Sequence, residues 1–259
     1  MGNLSNDVTE RQEVPESVER SDPDQQDLIT VVSTHTNDSL VDSDGVRREM
    51  PGGPAFYIAR AFDRLGQRYR LITGEIAQVN VLRRSHGEEY SIGAIPLISL
   101  PRAIRSQATL LSPVVREIDP EALPPIAGLL AVDLQGFVRE PMKPFRDVTR
   151  LFSLAHLLDR AGLVKAGEAE VERLDRPSRR ALDSCTTMVT RGSRGIILRQ
   201  RGRERKIAVS RVEAEQTIGA GDTLLAAMVV GLLDGFDVGE AALRASDFAS
   251  RSLREREKT

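Results

Sequence analysis

Apolar residues fall in short blocks, and their spacing changes along the chain. Residues 1 to about 27 hold Asn, Asp, Glu, Ser, Gln and Pro with almost no apolar periodicity. Such a segment cannot bury enough surface to offset its ordering entropy, and it is predicted to be a disordered tail, with one domain over 28–259. Order is expected from Leu28, where Leu-Ile-Thr-Val-Val-Ser has the continuous apolar character of a buried strand. Two short strands are predicted around 39–41 and 46–48, joined at Asp44-Gly45, a hairpin turn signal. Gly52-Gly53-Pro54 then opens a helix. Proline suits its first position, Ile58, Ala61, Phe62 and Leu65 share one face, and Gly66 ends it. Further strands are expected at 69–73, 79–82, 89–92 and 108–112, and the early short ones are placed as a flap at the sheet's edge.

From Ile126 the pattern alternates between strand and helix. Apolar strands are predicted at 128–133 and 163–165, the latter leading into a charged helix from Glu168. Strands follow at 186–190, 195–199 and 206–209. Two helices close the chain, Asp222 to Leu233 with Gly235 after it, and Val238 to about Leu253. Strands separated by helices predict a parallel sheet covered on both faces.

Composition narrows the function. The chain has 259 residues, enough for one sizeable core, and a formal net charge of -2, which offers no broad basic field for nucleic acid. The stretch from Arg199 to Lys206 is interrupted by Glu204 and is taken as a solvated hairpin edge. The one cysteine, Cys185, excludes an intramolecular disulfide and suits a reducing cytoplasm. His35, His86 and His156 are too scattered to pair as metal ligands. No apolar run reaches the roughly 18 residues of a membrane span, so a cytoplasmic location is expected.

The sharpest chemical signal is Gln216-Thr217-Ile218-Gly219-Ala220-Gly221-Asp222-Thr223, just before an apolar helix. Two glycines flanking an alanine let successive N–H groups point one way at a helix N-terminus, where free donors and the dipole favour an anion. Phosphoryl transfer needs such a cradle, and Asp222 is placed to take the proton of an attacking hydroxyl. A plain N-cap aspartate after glycine is the structural alternative.

Gly219-Ala220-Gly221-Asp222 resembles the C-terminal signature of the ribokinase-like (PfkB-type) carbohydrate kinases. Gly52-Gly53-Pro54-Ala55, followed by the helix that ends in Leu65-Gly66, resembles their N-terminal one. Asp38, Lys165 to Glu170 and Thr190 to Gly195 follow in family order, so the resemblance covers roughly residues 28 to 254. It implies a ribokinase-like three-layer α/β/α fold with a mainly parallel sheet, and an ATP- and Mg2+-dependent phosphotransferase. Asp222 would be the catalytic base, and the backbone of Gly219, Ala220 and Gly221 the anion hole. Asp38, Gly52 and Gly53 would bind the acceptor's hydroxyls. Lys165, Thr190, Arg191, Gly192, Gly195 and Thr217 would lie along the nucleotide, and Glu170 would organise Mg2+ through water. A flap of this kind can pair between subunits, so a homodimer is one arrangement the resemblance allows.

The sequence departs from the family pattern at Gln216, where an Asp associated with a monovalent cation often stands. It departs again at Gly167, often Asn, and at Tyr57, often Asn in the double-glycine signature. With Gln135-Gly136-Phe137-Val138-Arg139 these differences resemble a compact branch that includes inositol kinases. The branch implies a polyol acceptor, with Tyr57, Gln135 and Arg139 at its pocket. A nucleoside acceptor, or a homologue that binds ligand without turnover, is the alternative.

Overall fold

The computed structural model describes residues 28–41, 45–84, 87–209 and 217–256. The tail expected over 1–27 and the Asp44 half of the hairpin turn lie outside the described residues, as does Gln216. Strand β1 (Ile29–Ser33) is buried along its whole length. Strands β2 (Thr36–Val41) and β3 (Arg47–Gly52) follow, then α1 (Gly53–Leu65), β4 (Tyr69–Ile72), β5 (Ala77–Arg84), β6 (Gly87–Ile92), β7 (Ala108–Ser112) and β8 (Leu129–Asp133). Next come α2 (Ala155–Arg160), β9 (Leu163–Gly167), α3 (Glu168–Glu172), α4 (Arg176–Ala181), β10 (Thr186–Thr190), β11 (Ile196–Gln200) and β12 (Arg203–Ile207). Two helices, α5 (Ala220–Leu233) and α6 (Val238–Arg256), complete the chain.

Eight strands form the main sheet in the order β12-β11-β10-β9-β8-β7-β1-β4. The pairs from β10 through β4 are parallel, and β11 and β12 join as an antiparallel hairpin at one end. That hairpin turns at Arg201 and Gly202, both at positive φ (49° and 72°), and β12 exposes all but Ile207. The solvated edge expected for residues 199–206 is therefore present.

Because successive strand residues point to opposite faces, neighbouring apolar positions feed two cores. Val31, Leu110, Ala131 and Leu163 face α1, α5 and α6, packing with Ile58, Phe62, Leu225 and Met228. Val32, Leu111, Val132 and Val164 face the other way, onto Leu157, Leu158, Phe137 and Phe152. The layers are thus α/β/α, as expected. Helix α5 is buried on every side from Asp222 to Gly231, which fits its lack of a polar stripe. Cys185 is buried in the second core, and burial pushes its thiol up, which keeps it an inert apolar residue.

The four-stranded second sheet has the order β3-β2-β5-β6, with β2 and β5 parallel and the other pairs antiparallel. The early hairpin thus recruits β5 and β6 into one flap. Its underside presents Leu40, Val79, Val81 and Ile92 to Val114, Val115 and the partly buried Ile218.

Candidate active site

A cleft of about 470 Å³ opens between the flap, the carboxyl ends of the parallel strands and the start of α5. This is where open α/β sheets gather ligands. Gly219 caps α5 at φ 76°, a conformation that strains any side chain, and a Cβ there would run into the Tyr57 ring. The Ala220 N–H donates to the Thr217 carbonyl (3.1 Å), and the Thr223 N–H and Oγ1 donate to the Gly219 carbonyl (3.0 and 2.9 Å). Among the described residues, the N–H groups of Gly221 and Asp222 meet no acceptor. Of the three amides expected to cradle an anion, that of Ala220 is thus spent on closing the turn, while that of Gly221, with its neighbour on Asp222, is left without an acceptor among the described residues.

Asp222 is buried, and its Oδ1 has no hydrogen-bond partner among the described residues. Burial first, then the Asp133 and Glu170 carboxylates, push its pKa up to about 6, against the pull of Lys165 and Arg139. Lys165, the middle residue of β9, crosses to Asp133 at the end of β8, with Nζ 2.9 and 3.1 Å from the two carboxylate oxygens. Burial would lower the Lys165 pKa, but Asp133, Glu170 and Asp222 more than offset this and hold the ammonium charged. A Cβ on Gly221 would lie 2.8 Å from Lys165 Nζ, so a side chain there would push the ammonium from its place under α5. Glu170, half-buried, accepts the Gly167 N–H at 2.7 Å, and burial raises its pKa.

At the flap end, Asp38 is buried and accepts from Thr36 Oγ1 at 2.5 Å. Burial raises its pKa, while that hydrogen bond opposes the shift. Gly52 packs against the Asp38 carboxylate so closely that a Cβ would overlap it, whereas Gly53, Tyr57 and Asp38 line the cleft. Arg139 lies 5.3 Å over the Tyr90 ring of β6 and 3.4 Å from the Val114 carbonyl. Turned with its oxygen toward the guanidinium, the Gln135 amide accepts from Arg139 as well. Glu117, fully buried, accepts the N–H groups of Val114 and Val115 (2.6 and 2.8 Å) and holds that loop against the flap.

At the opposite end, Thr190, Gly192, Gly195 and Thr217 line the cleft. Arg191 does not; its Nε pairs with Glu168 at 2.9 Å, and Arg194 binds the same carboxylate, which ties the loop to α3. Beyond them Ile196, Val209, Ala249 and Leu253 make an apolar wall, with Ser246 Oγ buried and unpartnered beside it. The structure thus gathers Asp38, Tyr57, Gln135, Arg139, Lys165, Glu170 and Asp222 into one cleft. Sequence reasoning missed Thr36, Tyr90 and Ser246 as members, and Asp133 as the buried ion-pair partner of Lys165. An acidic residue closing one apolar strand and a lysine within the next was the available signal for Asp133; nothing local marks the other three.

Residues 150–259 match the family model described as pfkB family carbohydrate kinase. An inositol 3-kinase of Arabidopsis thaliana is 31% identical over 142 residues, which span 52% of this chain and 39% of that protein. The chain therefore spans well under half the length of that curated relative. A pyrophosphate-dependent kinase in the ribokinase family, solved with a pyrophosphate analog and myo-inositol, superposes with a TM-score of 0.69. It is 21% identical, over 88% of this chain and 95% of its own. A nucleoside kinase of Methanocaldococcus jannaschii gives 0.67 at 14% identity, over 89% and 92%. The fold is that of the ribokinase-like kinases. The matched residues 150–259 include Asp222 and its helix.

Proposed function

We propose that the protein transfers the γ-phosphoryl group of ATP to a hydroxyl of a sugar or cyclitol, myo-inositol first among them. The observation that carries this reading is the unpartnered, buried Asp222 Oδ1 beside two free first-turn amides. In the transfer, Asp222 accepts the acceptor hydroxyl's proton while the hydroxyl oxygen forms its bond to the γ-phosphorus. The bond from that phosphorus to the bridging oxygen breaks in line, and ADP leaves with the electron pair. The Gly221 and Asp222 N–H groups face the charge that spreads over the equatorial oxygens.

The two ends of the cleft suit different halves of the reaction. Asp38, ionised, accepts two hydrogen bonds from vicinal hydroxyls, and Gln135 and Arg139 supply donors. Val79, Ile92 and Val114 offer an apolar wall for the C–H face of a ring. The similarity to an inositol 3-kinase supports a cyclitol there. At the other end, the Thr190 to Gly195 loop and the apolar wall with Ser246 fit a nucleoside better than pyrophosphate, which would leave that wall uncovered. Among the described residues no three acidic, His or Cys side chains group as a metal nest. Glu170 would hold Mg2+ through a water, and the ion would supply charge neutralisation to the transferring phosphates.

An ADP-release screen over inositols, hexoses, pentoses and nucleosides with Mg2+-ATP, repeated with pyrophosphate as donor, tests this. Turnover with ATP and myo-inositol is the expected result. Ligand binding without product formation for every acceptor would overturn the reading in favour of a binding protein.

A further inference from the structure

The Lys165–Asp133 pair occupies the centre of the molecule, and the transfer just described makes no use of it. Both side chains are about as buried as any in the protein, at 5% and 1% exposure. A buried ion pair is an expensive way to join two strands, because desolvation of both charges consumes much of their attraction. Its position is telling. The ammonium spends its hydrogen bonds on both Asp133 oxygens and packs beneath Gly221, one residue before Asp222. The Asp133 carboxylate is fixed in turn by the Gln135 N–H at 3.1 Å, and the Leu134 N–H donates to the Lys165 carbonyl at 3.0 Å.

We propose that Lys165 is a positioning residue: paired with Asp133 beneath the first turn of α5, it acts on the transfer through Gly221 and Asp222 and does not serve as a donor ligand. This inference deepens the kinase reading and rests on it. Four charged groups face Asp222: Asp133 from β8, Lys165 from β9, Glu170 from α3 and Arg139 from the segment after β8. Two are negative and two positive, so removing either member of the buried pair unbalances the set in opposite senses. Without Lys165 the carboxyl of Asp222 is left facing excess negative charge and holds its proton to higher pH. Without Asp133 it ionises at lower pH.

Two variants that break the same ion pair therefore separate this role from a merely structural one. Aspartate carrying a 13C-labelled side-chain carboxyl is incorporated, and the Asp222 signal is identified as the one missing from Asp222→Asn. Its titration midpoint is expected to rise in Lys165→Met and to fall in Asp133→Asn, each by at least about half a pH unit. The acid limb of kcat/KM with Mg2+-ATP and myo-inositol should move the same way, with the KM for ATP within about threefold of the unmodified protein's. Midpoints that stay put or move together overturn the inference, as does a tenfold or greater rise in the KM for ATP in Lys165→Met at an unmoved midpoint. Should Lys165→Met fail to fold, Asp133→Asn decides by itself: a lowered midpoint supports the role and an unmoved one sinks it. Failure of the kinase reading is recognised separately, since Asp222→Asn would then turn over normally whatever the midpoints do.

Discussion

Asp222 is where burial and chemistry oppose each other. Its carboxyl is held protonated well above the ordinary value of 3.8, up to about 6, by burial and the neighbouring acids. A base in this condition works only once ionised, so the rate should fall as pH drops through about 6, which a pH profile of kcat/KM checks. The stability effect has the opposite sign. Because the folded pKa is raised, ionisation weakens the fold progressively from pH 3.8 to about 6, and the full cost remains above that. Asp222→Asn should thus lose at least about 10²-fold in turnover. It should nevertheless melt no lower than the unmodified protein at pH 8, with any advantage fading toward pH 4 in thermal scans. Gly219 carries a different constraint. With φ at 76° and the Tyr57 ring against it, Gly219→Ala should lower stability by about 1–3 kcal/mol in urea titrations.

Among the elements, α5 is the one whose surroundings are fullest. It lies between α1, α6 and the sheet, and at Gly231 it approaches α6 so closely that a Cβ would sit 3.1 Å from Ala241 Cβ. Gly231→Leu should therefore force the two helices apart, costing roughly 1–3 kcal/mol by denaturant unfolding. The displacement would also move the first turn, so turnover should fall more than the loss of folded protein explains. The flap is joined to the core by a second contact of this sort. Arg139 meets Tyr90 of β6 on one side and Val114 and Gln135 on the other. Arg139→Met should raise the KM for the acceptor at least about tenfold, as expected when a charge-assisted contact is lost, and steady-state kinetics would register it.

For the whole molecule, the order of strands separates the two ends of the cleft. The flap grows from the β1 and β4 end of the sheet, whereas β10, β11 and α6 stand at the other, and α5 begins between them. A substitution confined to one end should act on one substrate. Ala249→Phe, which fills the apolar wall beside Ser246, should raise the KM for ATP about tenfold, leaving the acceptor's KM nearly unchanged. No helix among the described residues is long and apolar enough to cross a membrane.

Local patterns determined the elements. The all-apolar strands, the glycine-led helix at 53–65 and the turn before α5 announce themselves because each depends on residues within a few positions of one another. Resemblance carried by short motifs in order then supplied the expectation of a kinase and about half of the residues that line the cleft. What the chain order does not contain is which distant groups share a dielectric. Asp133 and Lys165 are 32 positions apart, and only the parallel pairing of β8 with β9 sets the carboxylate against the ammonium that lies under Gly221. The place of β5 and β6 in the flap was decided the same way, by the parallel pairing of β5 with β2 across α1 and β4. Charge interactions and strand partners depend on distance in space, so these were settled by the packed fold.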